Sequence, residues 1–238
     1  AFYTDPDYLL AQEVQFGTVD SVKSLLRAGA NPNSTDWENW TPLMTAASEC
    51  PDPEMINVLV QAGAAVNQML DDEWTPLVLA VQNNTAEVVK ALLDAGASIE
   101  IRGEYNRTAL VYAAKYADMN IVRLLIESGA DVNDTSGTYG LTPLLMASVY
   151  SLDPKILSFL IDSGADIHTK SSMGYSALFY SAGWQSNPEF VRIMLDAGVD
   201  VEERNNGGMT PLMAAARKNE NPEITHTLLQ AGALVNSI

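Results

Sequence analysis

Apolar doublets recur along the chain at near-constant spacing: Leu25-Leu26, Leu59-Val60, Leu92-Leu93, Leu125-Ile126, Leu160-Ile161, Met194-Leu195 and Leu228-Leu229. Each closes a helical apolar pattern. Two residues later comes Ala or Ser, then Gly29, Gly63, Gly96, Gly129, Gly164, Gly198 or Gly232. Glycine there predicts a left-handed helix stop. A second apolar landmark keeps step: Thr41-Pro42-Leu43, Thr75-Pro76-Leu77, Thr108-Ala109-Leu110, Thr142-Pro143-Leu144, Ser176-Ala177-Leu178 and Thr210-Pro211-Leu212. The hydroxyl predicts an N-cap and the proline a first helical position, where its missing N–H is no loss. Small residues follow, as in Ala46-Ala47, Ala113-Ala114 and Ala214-Ala215-Ala216. They predict a short helix whose neighbours approach closely.

A second helix is predicted in each unit. It starts ten residues before each Gly, behind Thr18, Asp52, Thr85, Asp118, Asp153, Asn187 or Asn221. All are N-cap residue types. Acidic residues follow in most units (Asp20, Glu54, Glu87, Glu189, Glu223), where the helix dipole favours them. Between Gly and the next Thr lies a connector with an apolar residue three places on (Val66, Ile99, Val132, Ile167, Val201, Val235). Glycines then gather before Thr (Gly140, Gly174, Gly207-Gly208), which predicts an exposed β-turn finger. The steps between starts are 34, 33, 34, 34 and 34 residues. A fixed period of this size means a repeat array.

One finger plus two short antiparallel helices, with a Thr-Pro-Leu start, resembles the ankyrin repeat. The resemblance runs from about Asp7 to Ile238. It implies an all-α fold: an ankyrin-repeat solenoid of seven stacked helix pairs with β-turn fingers. The expected organisation is one domain over residues 1–238. Its units are about 7–40 (N-terminal cap), 41–74, 75–107, 108–141, 142–175, 176–209 and 210–238 (C-terminal cap). Gln12, Glu13 and Gln15 suit the polar outer face of a cap. The family usually carries His directly after the Leu, hydrogen-bonding between repeats. Here that place holds Met44, Val78, Val111, Leu145, Phe179 and Met213, so apolar packing is expected instead. Pro-bearing units such as Asn187-Pro188-Glu189 look more like bacterial members of the family than animal ones.

Composition narrows the function. The net charge of −17 argues against nucleic acid and against anionic membrane surfaces. No apolar run reaches the roughly 18 residues of a membrane span. The single cysteine, Cys50, forms no internal disulfide and fits a reducing compartment, so the cytoplasm is the favoured location. The chain opens Ala1-Phe2 without Met, as a processed or trimmed chain would, and a removed signal segment would allow the periplasm or secretion. His168 and His226 are scattered, and Cys50 has no nearby His. No metal site, activated nucleophile or phosphate-cradling loop is indicated. The expectation is a non-enzyme without cofactors or metals.

The resemblance implies that a partner meets the concave side. That side is formed by finger residues four, three and one before Thr and by first-helix residues seven and eight after it. Nine of the 13 Trp and Tyr, including all four Trp, fall on these positions: Trp37, Trp40, Trp74, Tyr105, Tyr116, Tyr139, Tyr150, Tyr175 and Trp184. This is well above random placement. Rigid aromatics are what binding surfaces use. The same positions carry Glu38, Glu49, Asp71, Asp72 and Glu104 early in the chain, and Arg107, Lys115, Arg217 and Lys218 later. The expected partner-binding residues are these nine aromatics with Glu38, Asp71, Asp72, Glu104 and Arg107. The expected partner is a protein or peptide with basic and apolar side chains over the N-terminal half, met by a monomer. A structural or spacer array, whose aromatics stiffen or self-associate, is the alternative; an enzyme is the remotest reading. The other Tyr, including Tyr112 and Tyr180, are expected inside.

Overall fold

The computed structural model describes residues 5–70, 74–116, 118–135, 137 and 139–236, with Glu104 described by its backbone alone. Among these residues the chain forms fourteen α-helices in seven pairs. The first helices are α1 (Pro6–Phe16), α3 (Pro42–Glu49), α5 (Pro76–Asn83), α7 (Ala109–Tyr116), α9 (Pro143–Tyr150), α11 (Ala177–Trp184) and α13 (Pro211–Lys218). The second helices are α2 (Val19–Arg27), α4 (Pro53–Gln61), α6 (Ala86–Asp94), α8 (Met119–Glu127), α10 (Pro154–Asp162), α12 (Glu189–Asp196) and α14 (Pro222–Gln230). A 3-10 turn at Glu104–Asn106 and an antiparallel bridge between Leu70 and Trp74 lie in connectors.

Starts and stops fall where the sequence puts them, except that α12 begins one residue later than expected, at Glu189. Thr41, Thr75, Thr142 and Thr210 accept the N–H of the residue three places on at 3.2–3.3 Å, and Ser176 does so at 3.1 Å. Each such cap contributes about 1 kcal/mol. Thr18, Asp52, Thr85, Asp153 and Asn221 cap second helices. Asn187 accepts the Glu189 N–H across Pro188. Gly164, at φ 95, shows the common stop: its N–H reaches the Ile161 carbonyl and the Ala165 N–H reaches Leu160. A residue with a Cβ would be strained at that φ.

The chain forms two compact parts, Ala1–Ala109 with Arg123–Ala130, and Leu110–Val122 with Asp131–Ile238. In the first part α1, α3 and α5 pack side by side, and α2, α4 and α6 form a second layer. In the second part α9, α11 and α13 pack likewise against a layer of α10, α12 and α14. The layers follow from two apolar patterns. First helices are buried without a break over Pro42–Ala47, Pro76–Val81 and Pro143–Ser148. Second helices bury one stripe, as with Met55, Ile56, Val58 and Leu59. That is the spacing of a one-faced amphipathic helix. Each such aliphatic side chain contributes about 1.5–3 kcal/mol by leaving water.

Met44, Val78, Val111, Leu145 and Phe179 are buried, and Met213 is half-buried. Apolar packing therefore occupies the place after Leu. Tyr112 is buried; Tyr180 is only half-buried and donates to Ser171 Oγ at 3.3 Å. In α1, Leu10 and Val14 are buried while Gln12, Gln15 and Phe16 face solvent. This is the one-sided helix a terminal cap needs. No helix of the described residues is long and apolar enough to cross a membrane.

Two polar ties join successive units within each part. Asn84 Nδ2 donates to the Cys50 and Ala47 carbonyls (2.9 and 3.0 Å) at the C-terminus of α3. Asn219 treats Gln185 and Ala182 the same way (2.7 and 2.8 Å). The other tie is reciprocal. Asn33 donates to the Gly63 carbonyl (2.9 Å) and accepts from Ala65 N–H (2.8 Å), and Asn133 does so with Gly164 and Asp166 (3.0 and 2.8 Å).

Candidate partner-binding surface

The fingers before Thr41, Thr108, Ser176 and Thr210 are five-residue loops, each closed on itself. Asp36 donates its N–H to the Trp40 carbonyl (3.0 Å), while its Oδ1 accepts from Glu38 and Trp40 N–H (2.8 and 2.9 Å). Asn205 repeats this with Gly207 and Met209 (both 2.9 Å), and Ser171 Oγ accepts from Tyr175 N–H (3.2 Å). Closing so short a loop requires positive φ two residues before Thr. Asn39, Asn106, Gly140, Gly174 and Gly208 supply it, at φ 58–75. At Gly174 a Cβ would also lie 2.6 Å from the Asn206 backbone nitrogen. The glycines gathered before Thr are there for this bend.

Loop closure sorts the finger aromatics into two kinds. Trp40, Trp74, Arg107 and Tyr175, one place before Thr, are clamped at the finger base and half-buried. Trp37, Glu38, Tyr105 and Tyr139, at the tips, are exposed, Trp37 at 87%. Asp71 and Asp72 lie outside the described residues, as does the Glu104 side chain.

In the first part, Trp37, Glu38 and Trp40 share a cleft of about 870 Å³ with Glu49 of α3 and with α1. The α1 wall includes Asp5, Asp7 and Tyr8. Sequence reading took α1 only as a cap and missed this wall; Asp5 and Asp7 are the helix-start residues there. Farther along, the Arg107 guanidinium lies 4.8 Å from the Tyr105 ring centre.

In the second part, Lys115 lies 4.3 Å from the Tyr116 ring and 4.6 Å from the Tyr150 ring, joining two of the expected residues. Tyr175 stacks on Phe179 at 4.6 Å, and Tyr180 meets Tyr175 and Trp184 edge-on at 5.4 and 5.5 Å. Lys218 Nζ caps the cluster, 4.2 Å from the Trp184 ring. Phe179 and Tyr180 are members that spacing alone did not place here. Lys115 and Lys218 therefore sit over rings, at the distances of cation–π pairs.

A family model described as ankyrin repeats (3 copies) matches residues 10–103, 100–171 and 145–238. The chain belongs to the ankyrin repeat family. Solved ankyrin structures agree. The ankyrin repeat domain of human ASB11 is similar over 94% of this chain and 98% of that one, with TM-score 0.83 and 23% identity. That of Bcl-3, described as a unique member of the IkappaB protein family, is similar over 93% and 97%, with TM-score 0.77 and 26% identity. The sequence matches none of the curated proteins compared with it. The fold is the all-α ankyrin-repeat solenoid, and ankyrin repeat domains are generally non-catalytic protein-binding modules.

Proposed function

We propose that this ankyrin array binds protein or peptide segments, without catalysis, through the aromatic residues on its finger tips and first-helix ends. The observation that carries the reading is the exposure of Trp37, Tyr105, Tyr116, Tyr139, Tyr150 and Trp184. Rings left in water add little to the core. In an interface they bring large apolar area at low entropic cost. Glu38 and Glu49 are exposed on the N-terminal part, which favours a partner with basic and apolar side chains there. The ring cluster of Tyr175, Phe179, Tyr180 and Trp184 also supports a stiffening role for part of this surface. The test is affinity capture with Trp37, Tyr150 and Trp184 all changed to Ala. Trp37 and Tyr150 lie open, whereas loss of Trp184 from its ring cluster should lower the melting temperature. Capture is therefore measured well below the variant's melting point, where partners retained by the wild-type chain should be lost. Unchanged capture would sink the reading.

A further inference from the structure

The cleft between α1, the first finger and the end of α3 has a chemistry that narrows its occupant. Its walls carry five carboxylates, from Asp5, Asp7, Asp36, Glu38 and Glu49, and three aromatic rings, from Tyr8, Trp37 and Trp40. None of its described lining residues is Lys or Arg. Its volume of about 870 Å³ falls in the range of ligand-binding clefts. It is a concave, solvent-open site lined by aromatic rings and carboxylates.

Four of the five carboxylates are held in place by hydrogen bonds. Asp5 accepts the Asp7 N–H (3.0 Å), Asp7 the Asn31 N–H (2.7 Å), and Asp36 the Glu38 and Trp40 N–H groups (2.8 and 2.9 Å). Each bond uses Oδ1. Among the described residues the Oδ2 atoms of these three accept no hydrogen bond, so each offers an oriented acceptor. Glu49 is steadied by Gln15 Nε2 at 2.8 Å. The Trp37 indole, 87% exposed, is the most open ring in the cleft.

We propose that this cleft binds an arginine-bearing segment of a partner protein, so that α1 is part of the recognition surface as well as an end cap. A guanidinium suits both features. Its planar face stacks on an indole, and its edge carries five N–H donors that can meet several carboxylates together. An ammonium is a more strongly hydrated point charge and uses the rings less well. The cleft has room for more than one side chain, which fits a segment with apolar neighbours to the arginine. The inference rests on the protein-binding reading only in taking the occupant to be a polypeptide.

The test uses the 238-residue chain, nitrogen-15 labelled, titrated with the peptide acetyl-Gly-Leu-Arg-Leu-Arg-Gly-amide. The controls carry citrulline or Glu in place of both Arg. The expected result is that the Arg peptide shifts the Trp37 and Trp40 indole N–H signals and the amides of residues 5–15 and 34–49. The citrulline peptide should bind at least about tenfold more weakly, and the Glu peptide not at all. Trp37→Ala, at an exposed tip, should weaken the Arg peptide about tenfold. Glu38→Gln should weaken it about threefold. Equal binding of the citrulline or Glu peptide, shifts centred elsewhere, or no response to the Arg peptide would overturn the proposal. Loss of capture by the triple aromatic variant alongside a silent peptide titration would remove the cleft assignment and leave the wider binding surface standing. Peptide binding in the cleft with capture unchanged would do the reverse.

Discussion

At the scale of single residues, the finger of the second part contains a carboxyl that titrates away from its ordinary range. Glu203 is partly buried, and burial raises its pKa. The Ser176 hydroxyl donates to it, and Lys170 lies 4.0 Å away; both lower the pKa but do not cancel the desolvation. Asp200 adds repulsion and His168 a weak attraction. The sign follows from which form each state prefers. With its folded pKa above its unfolded one, Glu203 favours the native state when protonated. That contribution is complete below the unfolded value near 4.5 and is lost as pH rises through the raised native value. Near neutral pH the ionised group is therefore a net cost. Glu203→Gln keeps an acceptor for Ser176 without the charge. It should melt higher than wild type at pH 7, with the gap closing below about pH 4. Melting curves at both pH values check this. A variant less stable at pH 7 would mean that the Lys170 attraction outweighs desolvation.

At the scale of elements, the helices were legible because their signals are local. Thr-Pro starts, Gly stops and the two apolar patterns are set by residues within one turn of where they act. The polar ties between units were not legible. Nothing in their local sequence sets Asn84, Gln185 and Asn219 apart, yet their amides cap the end of the helix one unit earlier, Gln185 through the Ser151 carbonyl (3.2 Å). A partner some 34 residues away leaves no mark on local spacing. The same limit explains the binding surface. Spacing placed the finger tips, but the half-burial of Trp40 and Tyr175 comes from loop closure, and the α1 wall comes from packing across units. Asn219 tests the ties directly. Asn219→Ala removes donors to the Ala182 and Gln185 carbonyls in a half-buried site, leaving helix-end acceptors without protein partners. It should cost about 1–3 kcal/mol, which chemical denaturation of the purified variant would show as a lower midpoint with an unchanged slope. A neutral result would mean that water replaces the amide at no cost.

At the scale of the whole molecule, charge acts on stability and on binding with opposite sign. There are 30 Asp and Glu against 13 Lys and Arg, so the folded chain confines a net charge of −17 that the unfolded chain would spread. Confinement of like charge destabilises the compact state. The described ion pairs are exposed or partly so, such as Lys23–Glu54 at 3.2 Å, Lys90–Asp94 at 2.6 Å and Arg192–Glu189 at 3.4 Å. Each is worth about 0–1 kcal/mol. Thirteen cations cannot pair with 30 acids, so weak attractions of this kind do not offset the repulsion among the remaining acids. Raising salt from about 10 mM to about 150 mM shortens the Debye length from about 30 Å to about 8 Å. It should therefore stabilise the chain: a gain of about 1 kcal/mol would raise the melting temperature by about 2–4 °C in a protein of this size. Across the same range, attraction between the acidic cleft and an arginine peptide should weaken. Melting curves and peptide titrations on one preparation separate the two effects. A melting temperature that fell with salt would mean that local ion pairs outweigh the net repulsion. Peptide binding indifferent to salt would mean that the rings, not the carboxylates, hold the ligand. With both slopes as expected, the acid excess that costs the fold stability is the same excess that gives its N-terminal cleft a preference for cations.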